Sequence, residues 1–364
     1  MNNQTTELIL EAKRIFPKLT ELEERLASEP ETIIAQAFPP TEPTLRARSI
    51  IWPGLKTNAL SELDTAVYSA RRHVLEFARL ALQKILAEDE DAQLEPEEAL
   101  GLEAIVLAEG RPSILVQNGR FATPPPNWRI LDEVRNSVEK ACKSVGRINI
   151  DHPSLDFVGT GFLVADNVIM TNRHVAELFC QSRGNGFWTF EQEYQPCVDY
   201  FHEWGTPNRA RFGITELIAV HDDKRIDLAL FRVARESLDD AIMPTPLAVA
   251  TEYDAAAKGR KVYTIGYPYS RDGDPEILRR IFGDIYGYKR LQPGEILDVH
   301  GEEHLLLHDC STLGGNSGSC VIDLETGQVI GLHFGGRYRK ANKAIALWLL
   351  KEDPLLRFAG VNFE

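Results

Sequence analysis

The sequence predicts an α+β multidomain protein in which an all-α N-terminal module precedes an all-β domain. Three observations predict it. Up to about Ala108 the apolar residues recur every three or four positions, the period of one helix face. Pro124-Pro125-Pro126 then forms a poor segment for helix or central strand. Beyond Ala141 the texture changes to short β-rich runs such as GTGFLVA, NVIMTN, DLALFRV, KVYTIGY and VIGLHFGG, parted by Gly, Asn and Asp turns. Such runs suggest a sandwich or barrel of antiparallel strands.

Taken in order, Leu8, Ala12, Ile15, Leu19, Leu22 and Leu26 share one helix face, and Pro17 breaks or kinks that run. Pro39, Pro40, Pro43 and Pro53 mark an irregular connection. A second helix begins near Ser61 and carries Leu63, Val67, Val74, Phe77, Ala81 and Ile85; the acidic stretch Glu88–Glu98 separates it from a shorter third, around Glu97–Ala108. Ser113–Val116 has the look of a short strand ahead of an Asn118-Gly119 turn, and Asn127–Ala141 that of one helix. The division that results is a helical regulatory or interaction domain over 1–110, a Pro-rich linker over 111–128 and the β-rich domain over 129–364.

Composition narrows the function classes. At about 150 residues per domain, 364 residues make two domains. Forty Lys and Arg against 54 Asp and Glu leave a net charge of −14, a field that repels phosphate backbones and anionic lipid headgroups, so neither nucleic acid nor membrane is the expected partner. No stretch approaches the roughly 20 apolar residues of a membrane span, and the start, MNNQTTELILEAKR, lacks the pattern of a secretion signal. The five scattered cysteines fit reduced thiols and a cytoplasmic location. Cys180, Cys197, His202 and His221 offer zinc-ligating atoms, yet no C-x-x-C or H-x-x-x-H pair fixes two on one turn, so no metal or other cofactor is expected. The aromatics between Arg183 and Arg211 form either an exposed binding insertion or a locally packed connection.

Three segments carry the chemistry. His174 follows a β-rich run in GTGFLVADNVIMTNRHVA, Asp227 heads an apolar strand in KRIDLALFRV, and Ser317 lies in the glycine-rich bend of DCSTLGGNSGSCVID. A serine hydroxyl needs a base to take its proton, imidazole suits that task near neutrality, and an anionic acceptor on the second ring nitrogen fixes the tautomer. Singly, each residue has an ordinary explanation in packing or in a turn. The order His, Asp, Ser in a β-rich background, with a glycine two before the serine, is far more specific. G-x-S-x-G is absent, since Ser319 stands two after Ser317, which argues against an α/β-hydrolase elbow.

With TNRHV, DLAL and GGNSGS, the region from about Val145 to Leu349 resembles the chymotrypsin-fold, or trypsin-like, serine peptidases, in particular the bacterial branch of glutamyl endopeptidases and high-temperature-requirement proteases. The resemblance implies a double six-stranded antiparallel barrel and a serine endopeptidase acting on protein or peptide substrates. It implies a catalytic triad of His174, Asp227 and Ser317, and an oxyanion hole from the N–H groups of Gly315 and Ser317. Gly331-Leu332-His333-Phe334-Gly335-Gly336 and Thr312 match the positions that read an acidic P1 side chain in glutamyl endopeptidases, while Ser311 stands where trypsin-like members carry an aspartate. His333 is then either a reader of acidic P1 residues or a packed histidine beneath a small or apolar pocket. Asn316 replaces the aspartate that pairs with a new N-terminus in digestive members, so activation by N-terminal insertion is not expected and the helical domain becomes the candidate regulator. The layout resembles intracellular bacterial effector proteases, including defence systems in which the N-terminal domain docks a protein partner. The other reading is a catalytically idle peptidase fold used as a peptide-binding scaffold.

Overall fold

A computed structural model describes residues 3–30, 33–34, 57–152, 155–184, 187–191, 194–254, 257–270, 285–337 and 341–364. The chain divides into two compact units, the first built mainly from Met1–Ser113 and the second from Ile114–Ala122, Trp128–Arg271 and Tyr286–Glu364.

In the first unit, Pro17 separates α1 (Asn3–Ile15) from α2 (Leu19–Ser28), as its missing N–H requires. Leu8, Ala12, Leu22 and Leu26 are buried. α3 (Thr57–Glu88) turns Val74, Ala81 and Ile85 inward. The side chains of Leu63 and Val67, and the connection bearing Pro39, Pro40, Pro43 and Pro53, lie outside the described residues. α4 (Pro96–Ile105) opens with a reciprocal capping box between Glu95 and Glu98. It then widens into a π-turn over Val106–Gly110. Gly101 has a packing reason, because a Cβ there would stand 2.5 Å from Ala78 N and 2.8 Å from Val74 O. The buried Glu109 is held by two hydrogen bonds from Arg25, each 2.9 Å. A buried carboxylate needs such pairing.

The second unit begins within the expected linker. β1 (Ile114–Gln117) and β2 (Arg120–Phe121) form a hairpin, and β1 pairs with a strand of the second barrel. Residues 111–128 are therefore not a bare connector, and the turn at Asn118-Gly119, both at positive φ, is part of the β unit. Glu203, 1% exposed, accepts from Gly119 N at 2.8 Å, and the fully buried Lys289 ammonium lies 3.5 Å from the same carboxylate. Lys289 also donates to Cys142 O at 2.7 Å and Tyr200 O at 2.6 Å. Burial pulls its pKa below the usual lysine value, with Glu203 opposing.

The helix expected over 127–141 is divided. A 3₁₀ turn (Pro126–Trp128) leads to α5 (Ile130–Glu133), Val134 leaves helical geometry at φ −108°, ψ 18°, and α6 (Arg135–Lys143) follows. Six strands then close the first barrel: β3 (Val145–His152), β4 (Leu155–Ala165), β5 (Val168–Thr171), β8 (Cys197–Asp199), β9 (Arg211–Val220) and β10 (Ala229–Val233). The hairpin of β6 (Cys180–Gly184) and β7 (Phe187–Phe190) sits apart from that ring. Its Phe190 stacks on Phe179 and Phe231, so this part of the aromatic segment packs down locally. The second ring runs β11 (Lys261–Gly266), β14 (Cys320–Asp323), β15 (Val329–Arg337), β16 (Ala341–Ala346), β13 (Leu305–His308) and β12 (Arg290–His300), closed by the β11–β12 pairing. Two six-stranded antiparallel barrels follow, with the β1–β2 hairpin added at β12. A short terminal helix, α8 (Pro354–Phe358), completes the chain. One apolar cluster joins residues of both barrels and this helix, among them Phe162, Leu230, Ile265, Leu332 and Leu356. All five cysteines are free.

Candidate active site

His174 stands on a single helical turn, α7 (Arg173–Ala176), directly after β5. Val175 and Ala176 are fully buried and anchor that turn, which leaves the imidazole side chain 43% exposed. Asp227 sits between the buried Ile226 and Leu228, just ahead of β10. Its carboxylate grips residue 174 at two points: Oδ2 lies 2.6 Å from the ring Nδ1, and Oδ1 accepts the backbone N–H at 3.0 Å. Nδ1 therefore carries the proton and Nε2 the lone pair. Asn172 Nδ2 donates to Asp227 O at 2.9 Å and ties the two segments together.

The loop bearing Ser317 is threaded against β4. Thr160 N donates to Ser317 O at 2.8 Å, and Thr160 Oγ1 donates to Gly315 O at 2.8 Å. On the other side Gly318 N donates to His333 O at 2.9 Å and His333 N to Ser319 O at 2.8 Å. Gly315 (φ 79°) and Gly318 (φ 88°) supply the left-handed turns that this path needs, and a Cβ on Gly318 would collide with Thr160 O. Among the described residues the N–H groups of Gly315 and Ser317 donate to no acceptor. Gly159 shows how near the two halves come, since a Cβ there would lie 2.9 Å from Val175 Cγ2 and 3.0 Å from Ser317 O. The turn holding His174 and the bend holding Ser317 thus meet at one glycine. Asn316 is fully buried, and neither atom of its amide has a hydrogen-bond partner among the described residues.

Of the expected pocket residues, His333, Phe334 and Gly335 lie on β15, and Ser311 and Thr312 lie in the segment between β13 and β14. His333, on β15, is 2% exposed, and its Nδ1 lies 3.2 Å from Nε2 of the fully buried His308. Burial, with His308 and the nearby His174 adding repulsion, holds His333 well below the usual imidazole range. Burial alone pushes His308 down to about 3. Both rings are neutral near pH 7. The Thr312 hydroxyl donates to Asn342 Oδ1 at 2.8 Å, and Asn342 Nδ2 donates to Cys310 O at 2.5 Å. Ser311, half-buried, receives Gln292 Nε2 on its carbonyl. Phe334 is half-buried at an irregularity between β15 and β16, and beyond it a Cβ on Gly335 would meet nothing within 4 Å. His308, Asn342 and Thr160 escaped the sequence reading. The three consecutive leucines of HLLLHDC do not show which face His308 takes, and no local signal pairs it with a histidine 25 positions away.

A model of the trypsin-like peptidase domain matches residues 159–332, a span that contains His174, Asp227 and Ser317. A probable serine protease from Lysobacter enzymogenes is 28% identical over 336 residues, covering 82% of this chain and 85% of that protein. A glutamyl endopeptidase from Staphylococcus epidermidis is 29% identical over 189 residues, covering 51% of this chain and 57% of its own length. Among solved structures, a serine endoprotease from Yersinia pestis has a TM-score of 0.41 at 19% identity, covering 61% of this chain and 66% of that one. A protease from Mycobacterium tuberculosis in its active form has a TM-score of 0.40 at 21% identity, covering 66% and 89% respectively. With the paired barrels, the family match defines the second unit as a trypsin-like peptidase domain of chymotrypsin fold. The chain thus carries a trypsin-like peptidase domain, matched over residues 159–332.

Proposed function

We propose that the enzyme works through a triad of Ser317, His174 and Asp227. Ser317 Oγ attacks the scissile carbonyl carbon and passes its proton to His174 Nε2, while Asp227 holds the imidazolium through Nδ1. The carbonyl oxygen takes up the negative charge and receives the N–H groups of Gly315 and Ser317. Each such donor is worth about 2.7–4 kcal/mol in the transition state. The C–N bond then breaks, His174 returns its proton to the leaving amine, and water cleaves the acyl-enzyme by the same steps in reverse order. The observation that carries this reading is the two-point grip of Asp227 on residue 174, which leaves Nε2 as the free basic nitrogen.

The substrate class is a peptide or protein with an acidic P1 residue. A neutral His333 is compatible with that role. If His308 donates Nε2–H to His333 Nδ1, the proton on His333 sits at Nε2 and can be donated to a carboxylate. The Thr312 hydroxyl is held by its bond to Asn342 Oδ1. The helical unit, with a core of its own, is assigned to regulation or to docking a protein partner in a bacterial defence or signalling system. The free cysteines fit a cytoplasmic setting.

The test is labelling by a fluorophosphonate together with proteome-wide cleavage profiling, with Ser317→Ala as control. Labelling that vanishes in the variant, and cleavage concentrated after Glu and Asp, are expected. An unlabelled wild-type chain with turnover equal to that of Ser317→Ala would replace the enzyme by an idle scaffold.

A further inference from the structure

The loop of residues 221–227, which presents Asp227, is closed at its base by His221 N donating to Leu228 O at 3.0 Å, and His221 pairs there with an aspartate that the triad chemistry does not use. His221 Nδ1 accepts the N–H of Asp223 at 3.1 Å, so its proton resides on Nε2, which lies 3.1 Å from Asp353 Oδ2. Both side chains are largely buried, at 11% and 17% exposure. Asp353 Oδ1 meanwhile accepts Leu355 N at 2.9 Å and Leu356 N at 3.2 Å, capping α8. One carboxylate thus bridges the terminal helix, which follows the second barrel, and a loop of the first.

The same loop is fixed from the catalytic side. Arg173, adjacent to His174, donates Nη2 to Asp223 O at 3.2 Å, and Asn172 holds Asp227 O. Ile226 and Leu228, which flank Asp227, belong to the same apolar core cluster as Leu350 and Leu356. Asp227 is therefore not free to follow its own rotamer preferences. Its carboxylate points where the loop backbone aims it, and that backbone rests on His221 at one end and Asn172 at the other.

We propose that His221 and Asp353 form a positioning pair that sets the direction of the Asp227 carboxylate against His174, making the terminal helix of the second barrel a support for the proton-handling half of the site. This inference rests on the assignment of Asp227 and His174 to the triad. The pair touches no reacting atom and acts only through Asp227. Small misplacement of a catalytic group costs rate far more than binding, so the pair's contribution falls on kcat.

Asp353→Asn isolates the effect. The amide oxygen can still cap α8, but its NH2 group would face Nε2–H of His221, donor against donor. Relief requires moving the ring proton to Nδ1, which forfeits the Asp223 N–H. With a Glu-containing peptide substrate and the full chain, kcat is expected to fall about tenfold, with KM unchanged. The fluorophosphonate labelling rate should fall by the same factor, and the low-field NMR resonance of the His174 Nδ1 proton should move upfield. His221→Asn, which keeps an acceptor for Asp223 but cannot reach Asp353, should act in the same direction and decides the matter if Asp353→Asn does not fold. A lowered Tm with kcat, labelling rate and resonance all at wild-type values would overturn the pair's role. Asp227→Asn serves as the reference: if it keeps full kcat, the triad assignment itself is wrong, whereas its loss beside active His221 and Asp353 variants refutes only the positioning pair.

Discussion

The pairings of His174 with Asp227 and of His333 with His308 have opposite surroundings. His174 is 43% exposed and has a carboxylate at 2.6 Å from Nδ1. His333 is 2% exposed and has a second imidazole at 3.2 Å, with burial depressing the proton affinity of both rings. A carboxylate partner at an open position fixes the tautomer and suits a ring that must take up and return a proton. An imidazole partner in a dry position forbids the imidazolium and suits a ring that donates a hydrogen bond without changing charge. The same side chain is thus assigned to proton transfer at one position and to recognition at another, a few strands away.

The contrast breaks most sharply at Asp227. Asp227→Asn removes the anion and permits the wrong tautomer of His174, so kcat on a peptide substrate should fall about 10⁴-fold. A loss below tenfold would mean that the carboxylate is not what orients the ring. The next effect separates recognition from chemistry. His333→Leu should lower kcat/KM for cleavage after Glu by about 10–100-fold, the range of one hydrogen bond to a charged group, with little change for cleavage after Leu. Equal losses for both substrates would return His333 to a packing role.

The smallest effect is on stability, and its sign follows from burial. In the unfolded chain His308 and His333 take up protons near the ordinary value of about 6.5. Folded, they resist protonation, His308 down to about 3. Below pH 6.5 the unfolded state binds more protons, so stability falls as pH falls, by up to about 1.4 kcal/mol per pH unit for each ring. Above 6.5 the contribution is constant. Urea unfolding at pH 7.5 and 5.5 should show this drop in the wild-type chain and a smaller one in His333→Leu. An identical drop in both would show that other groups carry the acid sensitivity.

Much of this was written in short stretches of sequence. The segments around His174, Asp227 and Ser317 were legible because each is local: a one-turn helix after a strand, an acid at a strand head, and glycines where positive φ is needed. Pro17 divided two helices for an equally local reason. The failures were of contact rather than of composition. A hydrophobic period over 127–141 does not show that Val134 leaves helical geometry. Nor does a proline-rich stretch show that Ile114 will pair with Leu291, since that pairing depends on a strand far along the chain. His308 and Asn342 were hidden for the same reason, because register between strands brought them beside His333 and Thr312.

The β1–β2 hairpin changes where the peptidase can be said to begin. Its backbone adds a strand to β12, and Gly119 supplies a donor to Glu203, the counter-charge of the buried Lys289. A fragment started after the triple proline would leave an uncovered sheet edge and a buried anion short of one donor. The chain first enters the peptidase unit at Ile114, ahead of the triple proline. The triple proline, which groups with the first unit, interrupts the peptidase unit between Ala122 and Trp128 and does not mark its start.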